Sequence, residues 1–339
     1  MAIHIEEHVA LAPLTTMMVG GNARFFTRIE SIDDLGEGLA FARAQNLPIF
    51  ILGGGSNVLA SDEGFLGLVM KIEIKGISYE EHDATMRVTA GAGEVWDDVV
   101  RGAVARGLWG IENLSLVPGT IGGAVVQNIG AYGAEARDTV LWVEAFDMQA
   151  MQLKRFLRNE CAFGYRESIF KKNNDLIVTR VALELIRDGV PHVDYEDVKK
   201  YLGERNIVSL SLADIREAVV AIRTAKMPAS PLGTAGSFFK NPVISAEEYA
   251  RLEKEFPGIK AYPQGDTTVK LSAAWLLDKI GGFRGYRRGN VGAYEHQALV
   301  LVNYGGATAE DVLSLASEMK ERVEEKTNVM LEEEVVMMK

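Results

Sequence analysis

Apolar and polar positions along this chain switch repeatedly between a helical and a strand period, with glycine at most of the junctions. After Ser31, Ile32, Leu35 and Leu39 recur at helical spacing, Asp34 completes a capping-box pair with Ser31, and Asn46–Pro48 ends the segment. The apolar run Pro48–Leu52 predicts a buried strand that empties into Gly53-Gly54-Gly55-Ser56-Asn57. Met86–Ala90 predicts a second strand, broken at Gly91 and Gly93. A helix follows from about Glu94, with Trp96, Val99, Val100, Ala103 and Val104 on one face and Gly107 past its end. Pro228, Pro231 and Gly233 mark Lys226–Thr234 as a linker. Beyond it the pattern predicts a helix near Ser272–Ile280, a glycine- and arginine-rich loop over Gly281–Gly292 and a buried strand over Ala298–Val302. Thr308 with Asp311 opens a helix whose stripe is Val312, Leu315, Ala316, Met319 and Val323, and the alternating stretch Val329–Met338 predicts a closing strand. The class expected from this mixture is α/β or α+β with mixed sheets.

Composition narrows the function more than the fold. The 339 residues suggest two or three domains, at ~100–200 residues per domain. Apolar content of 47% and charged content of 24% exclude a disordered, collagen-like or disulfide-scaffold chain. A net charge of −11 carries no global basic footprint for nucleic acid or an anionic membrane, so a polyanionic small substrate would need a local cationic cluster. The one cysteine, Cys161, permits no internal disulfide. Acidic residues occupy the start, Met-Ala-Ile-His-Ile-Glu-Glu-His, where a signal peptide needs a basic and then an apolar stretch. No apolar run approaches the ~18 residues of a membrane span. The expectation is a soluble, cytoplasmic protein.

Two glycine-rich segments carry candidate chemistry. In Gly53, Gly54, Gly55, Ser56 and Asn57, glycines let backbone N–H groups approach a phosphate while Ser56 and Asn57 add side-chain donors; a plain tight turn is the alternative. Val58 replaces the third glycine of a Rossmann fingerprint, and no Gly-Lys-Ser/Thr of a Walker A loop exists. The second segment places five glycines within Pro118-Gly119-Thr120-Ile121-Gly122-Gly123-Ala124 and Asn128-Ile129-Gly130-Ala131-Tyr132-Gly133. It implies backbone approaching either a ligand or another chain segment. Together they suit a dinucleotide cofactor on a non-Rossmann scaffold. His4-Ile5-Glu6-Glu7-His8 fits H-x-x-E-H, but it runs into Pro13 without the scaffold a zinc helix needs, and no metal site is expected.

Six motifs occur in order: Gly-Gly-Gly-Ser-Asn-Val-Leu (53–59), Val-Pro-Gly-Thr-Ile-Gly-Gly-Ala (117–124), Asn-Ile-Gly-Ala-Tyr-Gly (128–133), Phe-Gly-Tyr-Arg-Glu-Ser-Ile-Phe (163–170), Ala-Gly-Ser-Phe-Phe-Lys-Asn-Pro (235–242) and Gln-Ala-Leu-Val-Leu-Val-Asn (297–303). With them the chain resembles the UDP-N-acetylenolpyruvoylglucosamine reductase family, in its longer form, from Thr15-Thr16 to Glu334. The resemblance implies an α+β protein with a two-part FAD-binding module of the vanillyl-alcohol-oxidase type and an α/β substrate-binding domain. The implied division is 1–74 (with the strand 329–339 returning to it), 75–224 and 225–328.

It also implies ping-pong chemistry in which NADPH reduces FAD and leaves, and the enolpyruvyl sugar nucleotide then enters the same site. Hydride passes from flavin N5 to C3 of the enolpyruvyl group, and a serine protonates C2. By motif, Ser237 would be that donor, with Arg166 and Glu334 stabilising the enolate-like charge. Gly53, Gly54, Gly55, Ser56, Asn57, Gly119, Thr120, Ile121, Gly122, Gly123, Ala124, Gly130 and Arg223 would hold FAD. Tyr165, Tyr195, Lys226, Asn241, Tyr262 and Gln297 would meet the substrate, Tyr195 as the loop tyrosine that closes over the nucleotide. The expected partners are the sugar nucleotide and NADPH alone, on a monomer.

Read without the family, these residues keep ordinary alternatives: a loop hydroxyl for Ser237, a surface guanidinium for Arg166, and an exposed edge strand guarded by glutamates for Glu334. Desolvation beside Val335 and Val336 would raise the Glu334 pKa. The sequence departs from the family pattern at Leu14, Tyr294 and Val336, and the loop Arg284–Arg288 is unusually basic. Two other functions stay open: an FAD oxidase or dehydrogenase of an alcohol or hydroxy acid, and a non-catalytic nucleotide-sugar binding protein.

Overall fold

A computed structural model describes residues 3–205 and 210–339; Met1 and Ala2 of the acidic start lie outside the described residues. The chain forms two compact units. One holds Met1–Val9, Ala23–Gly54 and Leu66–Ala225; the other holds Ala10–Asn22, Gly55–Phe65 and Lys226–Lys339. The segments expected as 1–74 and 75–224 thus fall largely in one unit, while Ala10–Asn22 and Gly55–Phe65 join the C-terminal part of the chain.

The first unit is built on two sheets. Glu6–Ala10, Asn22–Ile29, Phe65–Ile72 and Ile49–Leu52 lie side by side in that order, the last pair parallel with Ile49 opposite Leu68. The second sheet is antiparallel, in the order Gln152–Leu157, Val140–Asp147, Leu176–Ile186, Thr85–Gly91 and Ile77–His82. Leu176–Ile186 sits at its centre and is buried at most positions. The two outer strands carry Lys154 and Arg155 on one edge and Glu80 and Glu81 on the other, so each edge repels a copy of itself. The expected capping box at Ser31 is present, with Ser31 Oγ accepting from Asp34 N–H, and Ile32–Ala44 buries Leu35 and Leu39. Trp96–Val104 buries Trp96, Val99, Val100 and Ala103, and Gly107 follows at φ +70°. Glu6–Ala10 is a strand, so the H-x-x-E-H spacing has no helix on which to work. Among the described residues no group of three His, Cys, Asp or Glu is arranged for a metal ion.

The second unit has Ala309–Thr327 as its longest helix. Thr308 and Asp311 form its capping box, and Val312, Leu315, Ala316, Met319 and Val323 are its buried stripe. Both carboxylate oxygens of Asp62 accept from its first N–H groups, Ala309 at 2.7 Å and Glu310 at 2.9 Å, where the helix dipole favours an anion. Strand Gln297–Asn303 pairs with Val291–Tyr294, and Arg287–Arg288 completes that sheet. The expected helix near Ser272–Ile280 starts at Ala273–Trp275 and continues as a π-helical stretch, Leu276–Ile280. The closing segment is only partly strand: Val336–Met338 pairs in parallel with Val58–Ala60. Glu333 makes an isolated bridge to Phe239, because this stretch bonds to an irregular neighbour instead of a full ladder.

Candidate active site

The two glycine-rich loops of the first unit pack on one another. A Cβ on Gly54 would lie 2.8 Å from Gly119 Cα, and one on Gly53 would lie 2.9 Å from Thr120 Oγ1. A Cβ on Gly122 would come within 2.9 Å of the Ala92 side chain. Close packing therefore accounts for these three glycines. Gly123 differs, since its added Cβ would meet only Thr120 Oγ1, at 3.7 Å. Gly53, Gly54, Gly119 and Gly123 keep part of their backbone accessible. Thr120 caps Ile121–Val126 through a long 3.5 Å contact from Gly123 N–H. This open glycine surface beside a hydroxyl fits the phosphates of a dinucleotide cofactor. Ile121 and Ala124 are buried core residues, and the N–H groups of Ile121 and Gly122 already donate to Glu94 and Ala92 carbonyls at 2.9 Å.

A cation stands next to this loop. Arg223, near the end of Leu212–Lys226, donates from Nε to Leu116 O at 3.2 Å. Burial pushes its guanidinium below the usual range, against the opposing effect of Tyr132. Leu116 is left-handed at φ +57°, and its N–H donates to Asp97 at 2.5 Å. Asp97 also receives Arg216 in a two-pronged pair, both contacts 2.8 Å. Burial favours the neutral acid, but the Arg216 and Leu116 hydrogen bonds outweigh it and hold the Asp97 carboxyl below the ordinary carboxylate range.

Arg166 and Tyr165 lie in the same unit. Arg166 is left-handed at φ +58°, donates from Nη2 to Gly130 O at 2.8 Å, and stands 5.2 Å from the Tyr165 ring centroid. A Cβ on Gly130 would come within 2.9 Å of Arg166 Nη1, so this glycine, expected at the cofactor, makes room for the guanidinium. Buried Asn128 ties the motifs together: its amide donates to Glu135 and to Gly164 O, and its Oδ1 accepts from Arg137 N–H. Tyr195 packs edge-on against Tyr132 with centroids 5.2 Å apart. Asn113 Nδ2 bridges the carbonyls of Tyr132 at 2.9 Å and His192 at 2.7 Å. Asn128 and Tyr132 stand within the sequence motifs, whereas nothing local marks Asn113 and Asp97, whose partners are distant along the chain.

The second unit holds Gly55, Ser56, Asn57, Lys226, Ser237, Asn241, Tyr262, Gln297 and Glu334. Gly55 is fixed by packing, at φ +66° with its added Cβ 2.1 Å from Leu14 O. Phe238 N–H donates to Leu299 O at 2.9 Å, while its C=O accepts from Glu334 N–H at 2.8 Å. In a regular strand both groups of one residue face the same neighbour. The segment thus bonds to one neighbour before Phe238 and to another after it, and Phe238 and Phe239 are both buried. Ser237 precedes this switch, follows Gly236 at φ +76°, and is exposed. Lys240 N–H donates to Glu332 O at 2.9 Å. The neighbouring acids pair with lysines, Glu332 with Lys240 at 3.4 Å and Glu333 with Lys320 at 2.8 Å.

Glu334 is half-buried, and Asn57 Nδ2 donates to its carbonyl at 3.0 Å. Asn241 spends its Oδ1 on Ala273 N–H at 2.9 Å. Tyr262 is exposed on Ala261–Gln264, Gln297 is half-buried opposite Tyr294, and Lys226 is half-buried. Of the departures, Leu14 meets Gly55 through backbone, Tyr294 stacks edge-on with His296 at 5.2 Å, and Val336 N–H donates to Asn57 O.

Comparison with known proteins accounts for the order of these motifs. The family model for the UDP-N-acetylenolpyruvoylglucosamine reductase C-terminal domain matches residues 228–338, and one for an FAD binding domain matches residues 23–154. The UDP-N-acetylenolpyruvoylglucosamine reductase of Pseudomonas aeruginosa is 43% identical over 337 residues, covering 98% of this chain and 99% of that protein. The one from an Azoarcus species is 42% identical over 333 residues, covering 96% and 95%. The crystal structure of the Thermus caldophilus reductase superposes with a TM-score of 0.68 at 28% identity, over 99% of each chain. The expected α+β class with an FAD-binding part holds. At this identity over nearly the full length, the chain belongs to the UDP-N-acetylenolpyruvoylglucosamine reductase family.

Proposed function

We propose that this chain catalyses the NADPH-dependent, FAD-mediated reduction of the enolpyruvyl group of UDP-N-acetylenolpyruvoylglucosamine, giving UDP-N-acetylmuramate for peptidoglycan synthesis. The relatives carry the reductase name, which favours this reading over an alcohol oxidase or a non-catalytic binding protein. When bound, FAD supplies the hydride that NADPH has given it. Gly53, Gly54, Gly119, Thr120 and Gly123 would line its phosphates with Ser56, and Arg223 would add the local cation that the −11 net charge calls for.

Ser237 is assigned as the proton donor to C2, its hydroxyl regaining a proton from solvent. A serine is a weak acid, so it suits an acceptor on which negative charge has grown. Arg166 and Glu334 are assigned to stabilise that charge, Arg166 by its fixed positive guanidinium. Tyr165, Tyr195, Lys226, Asn241, Tyr262 and Gln297 would bind the sugar nucleotide. The observation that supports the Ser237–Glu334 assignment is the 2.8 Å bond from Glu334 N–H to Phe238 O, which joins the backbones of two residues from motifs far apart in the chain. The proposal includes a cytoplasmic monomer with no nucleic-acid or membrane partner; among the described residues no helix is long and apolar enough to cross a membrane.

Ser237→Ala separates the two halves of the reaction. Bleaching of the flavin by NADPH stays at the wild-type rate, and its return on adding the sugar nucleotide slows by about 10²–10⁴-fold. Equal slowing of both halves removes Ser237 from the proton-donor role.

A further inference from the structure

Asn57 reads from sequence as a phosphate donor, but its side-chain Nδ2 and its backbone carbonyl both bond to the backbone around Glu334. Nδ2 donates to Glu334 O at 3.0 Å, and the Asn57 carbonyl accepts from Val336 N–H, also at 3.0 Å. Immediately beyond, Val58–Ala60 runs parallel to Val336–Met338 with Val58 opposite Val336. The Asn57 amide thus adds one rung to the start of this ladder, at the residue where the closing segment is otherwise irregular. On the other side, Glu334 N–H is held by Phe238 O at 2.8 Å. The backbone of Glu334 is therefore clamped at both ends: its N–H to the residue after Ser237, its C=O to the glycine loop. Val335 beside it is buried, which fixes the direction of the chain through this point.

We infer that Asn57 is a positioning residue for Glu334 in the sugar half-reaction and contributes little to holding FAD. The inference rests on the proposed roles of Glu334 and Ser237. Displacing the Glu334 backbone moves the origin of its side chain, and a displacement of about 1 Å in a group that stabilises developing charge costs on the order of 10²-fold in rate. The backbone bond from Val336 survives any substitution at position 57, so only the side-chain rung is lost. Asn57→Asp turns the donor into an acceptor facing the Glu334 carbonyl. Asn57→Ala deletes the rung, and Asn57→Ser keeps a shorter donor.

The test uses the FAD-loaded variants in anaerobic stopped-flow, with NADPH first and UDP-N-acetylenolpyruvoylglucosamine second, together with FAD titration of the apoprotein. In Asn57→Asp and Asn57→Ala, FAD affinity and NADPH bleaching stay within about threefold of wild type, while return of the flavin bands slows by about 10²-fold. Asn57→Ser recovers part of the rate. Weakened FAD binding with both halves slowed alike overturns the proposal, as does an unchanged second half. Glu334→Gln and Ser237→Ala in the same assay separate the two levels. If both leave the second half unchanged, the underlying assignment falls and this proposal with it. If they slow it while Asn57→Asp does not, this proposal alone falls.

Discussion

Asp97→Ala removes the carboxylate that organises the approach to the second glycine loop. In the wild type it accepts both prongs of Arg216 at 2.8 Å and the Leu116 N–H at 2.5 Å. Removing one partner of a buried pair costs about 3–5 kcal/mol. Here the side chains of Arg216 and Asp97 keep 17% and 19% exposure. Water can partly re-solvate the orphaned guanidinium, which brings the expected loss to about 2–3 kcal/mol. Leu116, left-handed at φ +57°, loses the anchor on its N–H, and a non-glycine residue there holds about 1–2 kcal/mol of strain to release by moving. The loop 117–124 begins at the next residue, so FAD affinity falls with stability. The assay is urea unfolding followed by tryptophan fluorescence, with Trp96, buried beside Asp97 and bonded to Leu114 O at 3.0 Å, as the local probe. The pH dependence has a fixed sign. The folded-state pKa lies below the unfolded one, so the Asp97 contribution is present above about pH 4 and is lost as pH falls through the folded value. A loss below about 0.5 kcal/mol near neutral pH, or a gap to wild type that widens on acidification, would show that the Asp97 carboxylate does not hold this segment.

Two further outcomes follow from local chemistry. Burial, with a smaller contribution from Glu160, pushes the Cys161 thiol up to about 12. The native protein should therefore resist a thiol-specific disulfide reagent near pH 8 and react once unfolded; rapid native labelling contradicts this. The same raised value means that stability is full below the ordinary thiol pKa, about 8.5, and declines as pH rises from there toward the folded value. Gly130→Ala should act by contact, since Gly130 has no positive φ and its added Cβ would lie 2.9 Å from Arg166 Nη1 and 3.0 Å from Glu135 Cγ. Return of the flavin bands with the sugar nucleotide should slow by about tenfold or more, and a wild-type rate would show that the guanidinium yields without consequence.

Features written in local sequence emerged as expected. Ser31 with Asp34 and Thr308 with Asp311 are capping boxes three residues apart, and the stripes behind them need only helical periodicity. Family membership was legible too, because six short motifs in order specify more than any one of them. What each residue does inside those motifs depended on partners that are remote in sequence. Gly54 is glycine because Gly119 touches it, and Gly130 because Arg166 does. Asn57 reaches Glu334 across 277 positions, and no window of sequence contains that bond. The alternation of Val329–Met338 promised a full strand, yet Glu332–Glu334 bond to the irregular segment around Phe238, and the ladder is confined to Val336–Met338 among the described residues. The H-x-x-E-H spacing misleads for the converse reason: its meaning assumes a helix, and the chain there is extended.

On the proposed function, this chain carries reducing equivalents from NADPH to an enolpyruvyl sugar nucleotide through FAD. The most direct measurement is the visible spectrum of the pure protein without oxygen, recorded before and after NADPH and again after UDP-N-acetylenolpyruvoylglucosamine. Flavin bands should bleach with NADPH and return in full with the sugar nucleotide. Bands that return only on admitting oxygen, or FAD-supplemented protein that shows no flavin bands, would contradict the proposed function.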